Sequence, residues 1–159
     1  MRSEEEVVRA MDTYADLVRR LCLVRLKSRE DTEDIFQTVF LKYLQHTKPF
    51  ANAEHEKAWF IRVTLNACRD LLRFWARRPT VPLEALAAQA APEPEDRSVL
   101  EAVLSLPEKY RDAVYLHYYE GYSAPEIGDL LGKNTNTVYT ILTRARALRR
   151  EKLGGEEDG

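Results

Sequence analysis

Residues Gly121 to Arg150 read GYSAPEIGDLLGKNTNTVYTILTRARALRR, a pattern of short helix, tight turn and longer basic helix. Ser123 and Glu126 stand at capping-box spacing with Ala124 and Pro125 in the opening turn, so a hydroxyl and a carboxylate satisfy the free N–H groups at a helix start. Ile127, Leu130 and Leu131 then share a face. Gly132 supplies the left-handed backbone that stops this helix, and Asn134 is placed to cap the next. In the second helix Val138, Ile141, Leu142, Ala145 and Leu148 keep one apolar stripe at helical spacing, while Asn136, Thr137, Tyr139, Thr140, Thr143 and Arg144 point the other way. This is the sequence form of a helix-turn-helix.

The outward face suits nucleic acid. Asn and Arg donate bidentately to base edges, Thr offers a methyl or a hydroxyl, and Lys133, Arg144, Arg146, Arg149, Arg150 and Lys152 can meet phosphates. The same composition also fits the solvated face of an ordinary bundle helix. The short turn and the basic tail favour DNA.

Working outward, the 159 residues are 45% hydrophobic, enough for buried cores, and carry a formal net charge of −2. Divided along the chain, the charge is more informative. Lys57 to Arg78 holds six cations against Asp70, and Lys133 to Lys152 holds six against Glu151, so two stretches of +5 stand on a remainder of −12. Two basic stretches on an acidic background suggest two separate anionic contacts. Cys22 and Cys68 have no partner at metal-ligand or redox spacing and read as buried free thiols. The acidic start and the lack of any long apolar run predict a soluble, cytoplasmic protein.

Ser3 and Glu6 form another capping box before a helix to about Lys27, with Val7, Met11, Tyr14, Leu17, Val18, Leu21 and Cys22 on one face. A second helix is expected from Asp31, as its cap, to about His46; it buries Ile35, Val39 and Tyr43, with Phe36 and Phe40 as further candidates, and leaves Asp34, Gln37, Leu41 and Lys42 nearer the surface. Thr47 to Asn52 reads as a loop. A third helix runs through Ala58, Trp59, Val63, Ala67, Leu71 and Phe74 to Arg78, where Pro79 ends it, with Trp59 and Phe74 on its buried stripe and Trp75 off it. Proline, alanine and acidic residues then mark a linker, with a turn or two of helix conceivable over Leu83 to Gln89. Ser98 to Leu104 and the segment from Pro107 to Gly121 are further helices, the latter with Tyr110, Ala113, Val114 and His117 on one stripe. The expectation is an all-α chain: a helical domain over residues 1–78, a flexible acidic linker over 79–97, a helix-turn-helix domain over 98–153 and a frayed tail over 154–159.

Catalytic chemistry has little foothold. The histidines are His46, His55 and His117, and His55-Glu56 fails the zinc-hydrolase pattern because Trp59 occupies the second ligand position. There is no glycine-rich phosphate loop, nucleophile elbow or cysteine cluster, so neither an enzyme, a metal nor a cofactor is expected.

Three stretches together resemble the extracytoplasmic-function group of bacterial RNA polymerase sigma factors: DTEDIFQTVFLKYLQ (Asp31 to Gln45), KAWFIRVTLNACRDLLRFWARR (Lys57 to Arg78) and Leu106 to Arg150. In the second, Trp59, Val63, Asn66, Asp70, Leu71 and Arg73 fall at the family's pattern. The resemblance implies a transcription initiation factor that brings core RNA polymerase to promoter DNA, with an anti-sigma factor as a common further partner that no residue here identifies. It implies that the first domain holds the melted minus-ten strand through Lys57, Arg62, Asn66, Arg69, Arg73, Trp75, Arg77 and Arg78, with Asn66 and the 47–52 loop cradling a flipped base. It places Asp34 and Gln37 against the polymerase clamp helices, and duplex minus-thirty-five DNA against Lys133, Asn134, Asn136, Thr137, Tyr139, Thr140, Arg144 and Arg146.

Four positions depart from the family's habit. Tyr139 and Ile141 stand where cations are usual, Lys133 where an aliphatic is usual, and Gly128 where Ala is usual. Two missing cations would lower the salt dependence by up to about two units of slope, and the glycine would cost its helix about 0.5–1 kcal/mol. Beside the sigma-factor reading stand a helix-turn-helix regulator without polymerase-recruiting activity and a helical protein-interaction module.

Overall fold

The structure, a computed structural model, describes the backbone of residues 1–26, 28–76 and 97–157, and the side chains of these except 97–100 and 149–157. Its elements are α1 (Glu4–Leu26), α2 (Arg29–Gln45), α3 (Ala53–Ala76), α4 (Arg97–Leu104), α5 (Glu108–Val114) continued by a π-helical turn (Tyr115–Tyr119), α6 (Ala124–Leu131) and α7 (Thr135–Glu157). No strand occurs among the described residues. The chain divides into two compact units, Met1–Pro92 and Glu93–Gly159, in keeping with the all-α, two-part architecture expected from periodicity. The expected linker and its possible helix at Leu83 to Gln89 lie outside the described residues, except Arg97, which opens α4. No described helix is long and apolar enough to cross a membrane.

In the first unit α1 and α3 run parallel at an offset of 46 to 47 residues: Arg9 meets Glu56, Tyr14 meets Phe60, and Cys22 meets Cys68 with 4.0 Å between sulfurs. Helix α2 closes the bundle, bringing Phe40 and Tyr43 to ring-centroid distances of 5.3 and 5.1 Å from Phe60. Leu17, Val18, Leu21, Ile35, Val39, Ile61 and Leu65 fill the core, each such side chain contributing about 1.5–3 kcal/mol by leaving water. Both thiols are free and buried, as expected. The hydrogen bond with Cys68, reinforced by burial, holds the Cys22 thiol well above the usual range.

A carboxylate ties the three helices together. Glu56 is only 7% exposed, and it accepts hydrogen bonds from the hydroxyls of Tyr14 at 2.9 Å and Tyr43 at 3.2 Å, with the Arg9 guanidinium 3.5 Å away. Burial first, then the bond to Glu56, pushes the Tyr14 phenol far above its ordinary value; Tyr43 shifts the same way, through burial and the Glu56 charge. Both phenols therefore stay protonated donors.

Some helix limits differ from expectation. Helix α2 starts at Arg29, because the buried Ser28 is its cap: Ser28 Oγ accepts from the Asp31 N–H at 3.3 Å. Asp31 therefore sits inside the first turn. Met11 is exposed, and Phe74 is 45% exposed instead of buried. The 46-residue offset between α1 and α3 puts Leu26, the end of α1, level with Leu72, so the apolar stripe of α3 outruns its partner. The Ser3–Glu6 box forms as read, and the Ser3 backbone N–H, then Arg2, holds the Glu6 carboxyl below its usual value.

In the second unit the buried Arg111 donates to the carbonyls of Leu106 at 2.9 Å and Leu104 at 3.1 Å, satisfying acceptors at the end of α4. The π turn closes with Glu120 N–H donating to Tyr115 O at 3.3 Å. Its extra residue lets Tyr115 and Leu116 both face inward, which leaves His117 only half-buried. Ser123 and Glu126 make the expected capping box, and Gly132 ends α6 at φ 68°. Helix α7 continues to Glu157, into the residues 154–159 read as a tail.

Gly128 proves to have a packing reason. A Cβ there would lie 2.6 Å from the backbone O of Lys133, because the turn folds back so that Lys133 N–H donates to Gly128 O at 2.9 Å. Gly128→Ala is therefore expected to destabilise the second unit by about 1–3 kcal/mol from overpacking, against a helix-propensity gain of only about 1 kcal/mol. A raised melting temperature would contradict this. For the first unit, Glu56→Ala strands the buried Tyr43 hydroxyl and leaves that of Tyr14 only the Ala53 carbonyl at 3.4 Å, and should cost about 1–3 kcal/mol, with Glu56→Gln costing less. Urea unfolding checks the order, and strict additivity of Glu56→Ala with Tyr14→Phe would show the contact to be idle.

Candidate nucleic-acid interfaces

On α3 the residues Arg62, Asn66, Arg69 and Arg73 are all exposed and recur at helical spacing, opposite the buried Phe60, Thr64 and Cys68. They make a strip about 16 Å long. Arg69 lies 3.8 Å from Asp70, an exposed contact of little energetic weight. At its N-terminal end the strip meets an aromatic cluster that the sequence reading did not assemble. Trp59 packs at ring-centroid distances of 5.9 Å from Tyr43, 5.1 Å from His46 and 5.8 Å from Phe50. His46 and Phe50 stack at 5.2 Å.

The loop before α3 is held locally. Asn52 caps the helix by accepting the His55 N–H at 2.8 Å, and His55 Nδ1 accepts the Ala51 N–H at 3.0 Å. Burial, then the charges of Arg2 and Lys48, lowers the pKa of His46, so its ring is neutral near pH 7. Cations in line with an amide and a π surface at one end can follow a single-stranded backbone and stack an unpaired base.

Not every candidate joins the strip. Lys57 and Trp75 lie nine residues either side of Asn66, about half a turn out of phase with it. Trp75 is exposed but stands edge-on to Phe74 at 5.8 Å, away from the Asn66 face. Arg77 and Arg78 lie outside the described residues.

On α7 the exposed residues fall into a central row and two edges. Asn136, Thr140 and Thr143 form the row, Thr137 and Arg144 one edge, Tyr139 and Arg146 the other. The Thr140 hydroxyl donates to Asn136 O at 3.0 Å, which leaves its methyl for a partner. Asn134 is committed to capping, its Oδ1 accepting the Thr137 N–H at 2.8 Å, while Lys133 is exposed in the turn. Ile141 is only 8% exposed and packs inward, so it removes no outward cation. The expected loss of two phosphate contacts on this face is thus reduced to one, at Tyr139.

A residue missed by periodicity borders the same edge. The π turn brings Tyr118 outward, where Arg146 Nη2 donates to its hydroxyl at 3.3 Å. His117 stands edge-on to Tyr118 at 4.7 Å and donates from Nδ1 to Tyr122 O at 2.8 Å. A π-helical turn leaves no signature in hydrophobic spacing. On α2, Asp34 and Gln37 are exposed and share a face with the exposed Leu41.

Comparison with known proteins identifies the family. Residues 10–78 match Sigma-70 region 2, and residues 96–148 match Sigma-70, region 4. RNA polymerase sigma factor SigV of Bacillus subtilis is 30% identical over 141 residues, covering 87% of this chain and 85% of the relative. The chain belongs to the extracytoplasmic-function group of sigma-70 factors. ECF RNA polymerase sigma factor SigM of Mycobacterium tuberculosis is 34% identical over 137 residues, covering 83% of this chain and 70% of the relative. Among solved structures, the sigma factor RpoE in complex with the anti-sigma factor NepR from Bartonella quintana shares the fold at a TM-score of 0.72 and 17% identity, covering 96% of this chain and 99% of the other. CnrH, solved with the cytosolic domain of CnrY, has a TM-score of 0.65 at 23% identity, covering 97% and 91%. This sigma factor is a promoter-recognising subunit that works with RNA polymerase.

Arg144 and Arg146 flank the polar row of α7 from opposite edges, where phosphates of a duplex would pass. Replacing both with Ala should weaken binding to duplex promoter DNA and reduce the slope of log K against log salt by up to about two units. Fluorescence anisotropy across a salt series, with holoenzyme, measures it; an unchanged slope would remove these two from the interface.

Proposed function

We propose that this sigma factor divides promoter recognition between its two units, residues 1–78 taking the melted minus-ten element and residues 98–153 the duplex minus-thirty-five element, with 79–97 as the tether. The observation that carries the first half is the exposed strip of Arg62, Asn66, Arg69 and Arg73 ending at Trp59, His46 and Phe50. Opening a duplex requires a surface that captures unstacked bases, supplying cations to the backbone and a π face or pocket to the base. Asn66 and the 47–52 loop are the base-capture site by analogy with the family, and Lys57, Arg77, Arg78 and Trp75 belong to the wider single-strand contact.

The second half rests on the polar row of α7 between its two arginines, a face suited to base edges in a major groove. Lys133, Thr137, Tyr139 and Thr140 complete it, with Asn134 fixing its N-terminus. Asp34 and Gln37, beside Leu41, meet the polymerase clamp. An anti-sigma protein is a further partner, as NepR is for the Bartonella quintana protein. The factor acts by binding alone, in the cytoplasm, without a cofactor and without catalysis of its own.

Run-off transcription with core polymerase tests the whole. Promoter-dependent transcripts are expected, whereas a helix-turn-helix regulator or an interaction module would give none. Within the holoenzyme, Asn66→Ala should impair strand opening, read by permanganate reactivity of unpaired thymines, far more than duplex binding. Equal loss of both would count against base capture.

A further inference from the structure

A side chain just before α1 is tied to the 47–52 loop. The Arg2 side chain is only 10% exposed. Its guanidinium carbon lies 4.5 Å from the Tyr43 ring centroid and 5.1 Å from that of Phe50. Nη2 donates to the Lys48 carbonyl at 2.9 Å and Nη1 to Glu6 Oε2 at 3.0 Å, while the Arg2 backbone N–H donates to Leu44 O at 3.0 Å. Arg2 thus joins the start of α1, the end of α2 and the loop.

Trp59, His46 and His55 also contact Phe50, and Asn52 and His55 tie the loop to the start of α3; Arg2 adds the link to the residues before α1. An open cavity of about 350 Å³ lies behind the loop, among Arg2, Arg9, Phe50, Asn52 and Glu56. Besides Phe50, its apolar lining is Pro49 and Ala53. A planar cation that covers two rings and donates along two directions fixes both the ring and the backbone beside it. Lysine could supply the charge but neither the plane nor the fork.

We propose that Arg2 is a positioning residue for base capture: it preorganises Phe50 and the 47–52 loop, so that a base leaving the duplex enters a formed site. The inference rests on the reading of Asn66 and that loop as the capture site. Preorganisation raises affinity by removing an ordering cost that would otherwise be met on binding.

The experiment uses holoenzyme assembled with the full chain and a fluorescein-labelled single strand carrying the non-template minus-ten sequence of a promoter transcribed in run-off assays. A matched series carries an abasic site at each position in turn. The wild type should prefer the intact strand over the abasic strand at the captured position. Arg2→Ala and Arg2→Lys should each lose about tenfold of that preference, while affinity for the abasic strand, for core polymerase and for duplex minus-thirty-five DNA is unchanged. If Asn66→Ala abolishes the preference but both Arg2 variants retain it, Arg2 has no positioning role and base capture stands. If Asn66→Ala retains it too, the capture reading fails and the inference with it. Parallel loss of core binding and abasic-strand affinity by the Arg2 variants would mean general unfolding, which also overturns the proposal.

Discussion

A carboxylate buried among aromatic rings sets the rotation of α3, and with it everything that helix presents. Glu56 receives one phenol from α1 and one from α2, so its direction is fixed from two sides. Two neutral donors and a nearby guanidinium offset the desolvation that an isolated buried charge would suffer. Because a helix advances about 100° per residue, fixing one side chain toward the core fixes them all. Phe60 and Cys68 follow Glu56 inward, and Arg62, Asn66, Arg69 and Arg73 are left facing solvent.

The second unit reaches a comparable result with backbone. Gly128 lets the chain approach within a distance that a Cβ would forbid, and Gly132 turns it with left-handed φ. Asn134 then starts α7 at a defined residue. The phase of α7 follows from that start, with Val138, Ile141, Leu142 and Ala145 inward and the polar row outward. The π turn before α6 belongs to the same geometry, since it carries Tyr118 to the edge of the row where Arg146 meets it. Each unit therefore aims one helix by polar or steric contacts and leaves the apolar core to supply most of the stability.

What the sequence disclosed and what it hid divide along a physical line. Both capping boxes, the αL glycine and the apolar stripe of α7 were legible because each depends on residues within a turn or two. Asp31 was expected to cap α2, but burial of Ser28 by tertiary packing gives that role to Ser28. Phe74 lies on a correct period, but the helix it would pack on ends first. Gly128 looked like a cost because the atom that demands it, Lys133 O, comes close only when the turn folds back. Glu56 and Arg2 were invisible as organising residues for a related reason: their partners lie 13 to 47 residues away in the chain. Function was legible mainly through the family pattern around Trp59, Asn66 and Arg73, since charge and periodicity alone left a DNA-binding regulator and an interaction module standing.

The two proposed DNA surfaces differ in the way their targets differ. On α7 the cations stand at the edges and neutral donors and acceptors hold the centre, an order that matches a groove, where phosphates flank base edges. On α3 the cations run through the middle of the strip beside Asn66, and the aromatic rings sit at one end, an order that matches one flexible strand with a base turned out of it. Exchanging the two arrangements would serve neither target: a row of arginines would put charge where α7 must discriminate bases, and edge cations would leave α3 nothing along the strand's own path. The remainder of −12 limits each basic surface to partners that fit it. On the proposed division of labour, charge placement within each helix, more than the charge of the chain, suits this sigma factor to a promoter that is duplex at one element and open at the other.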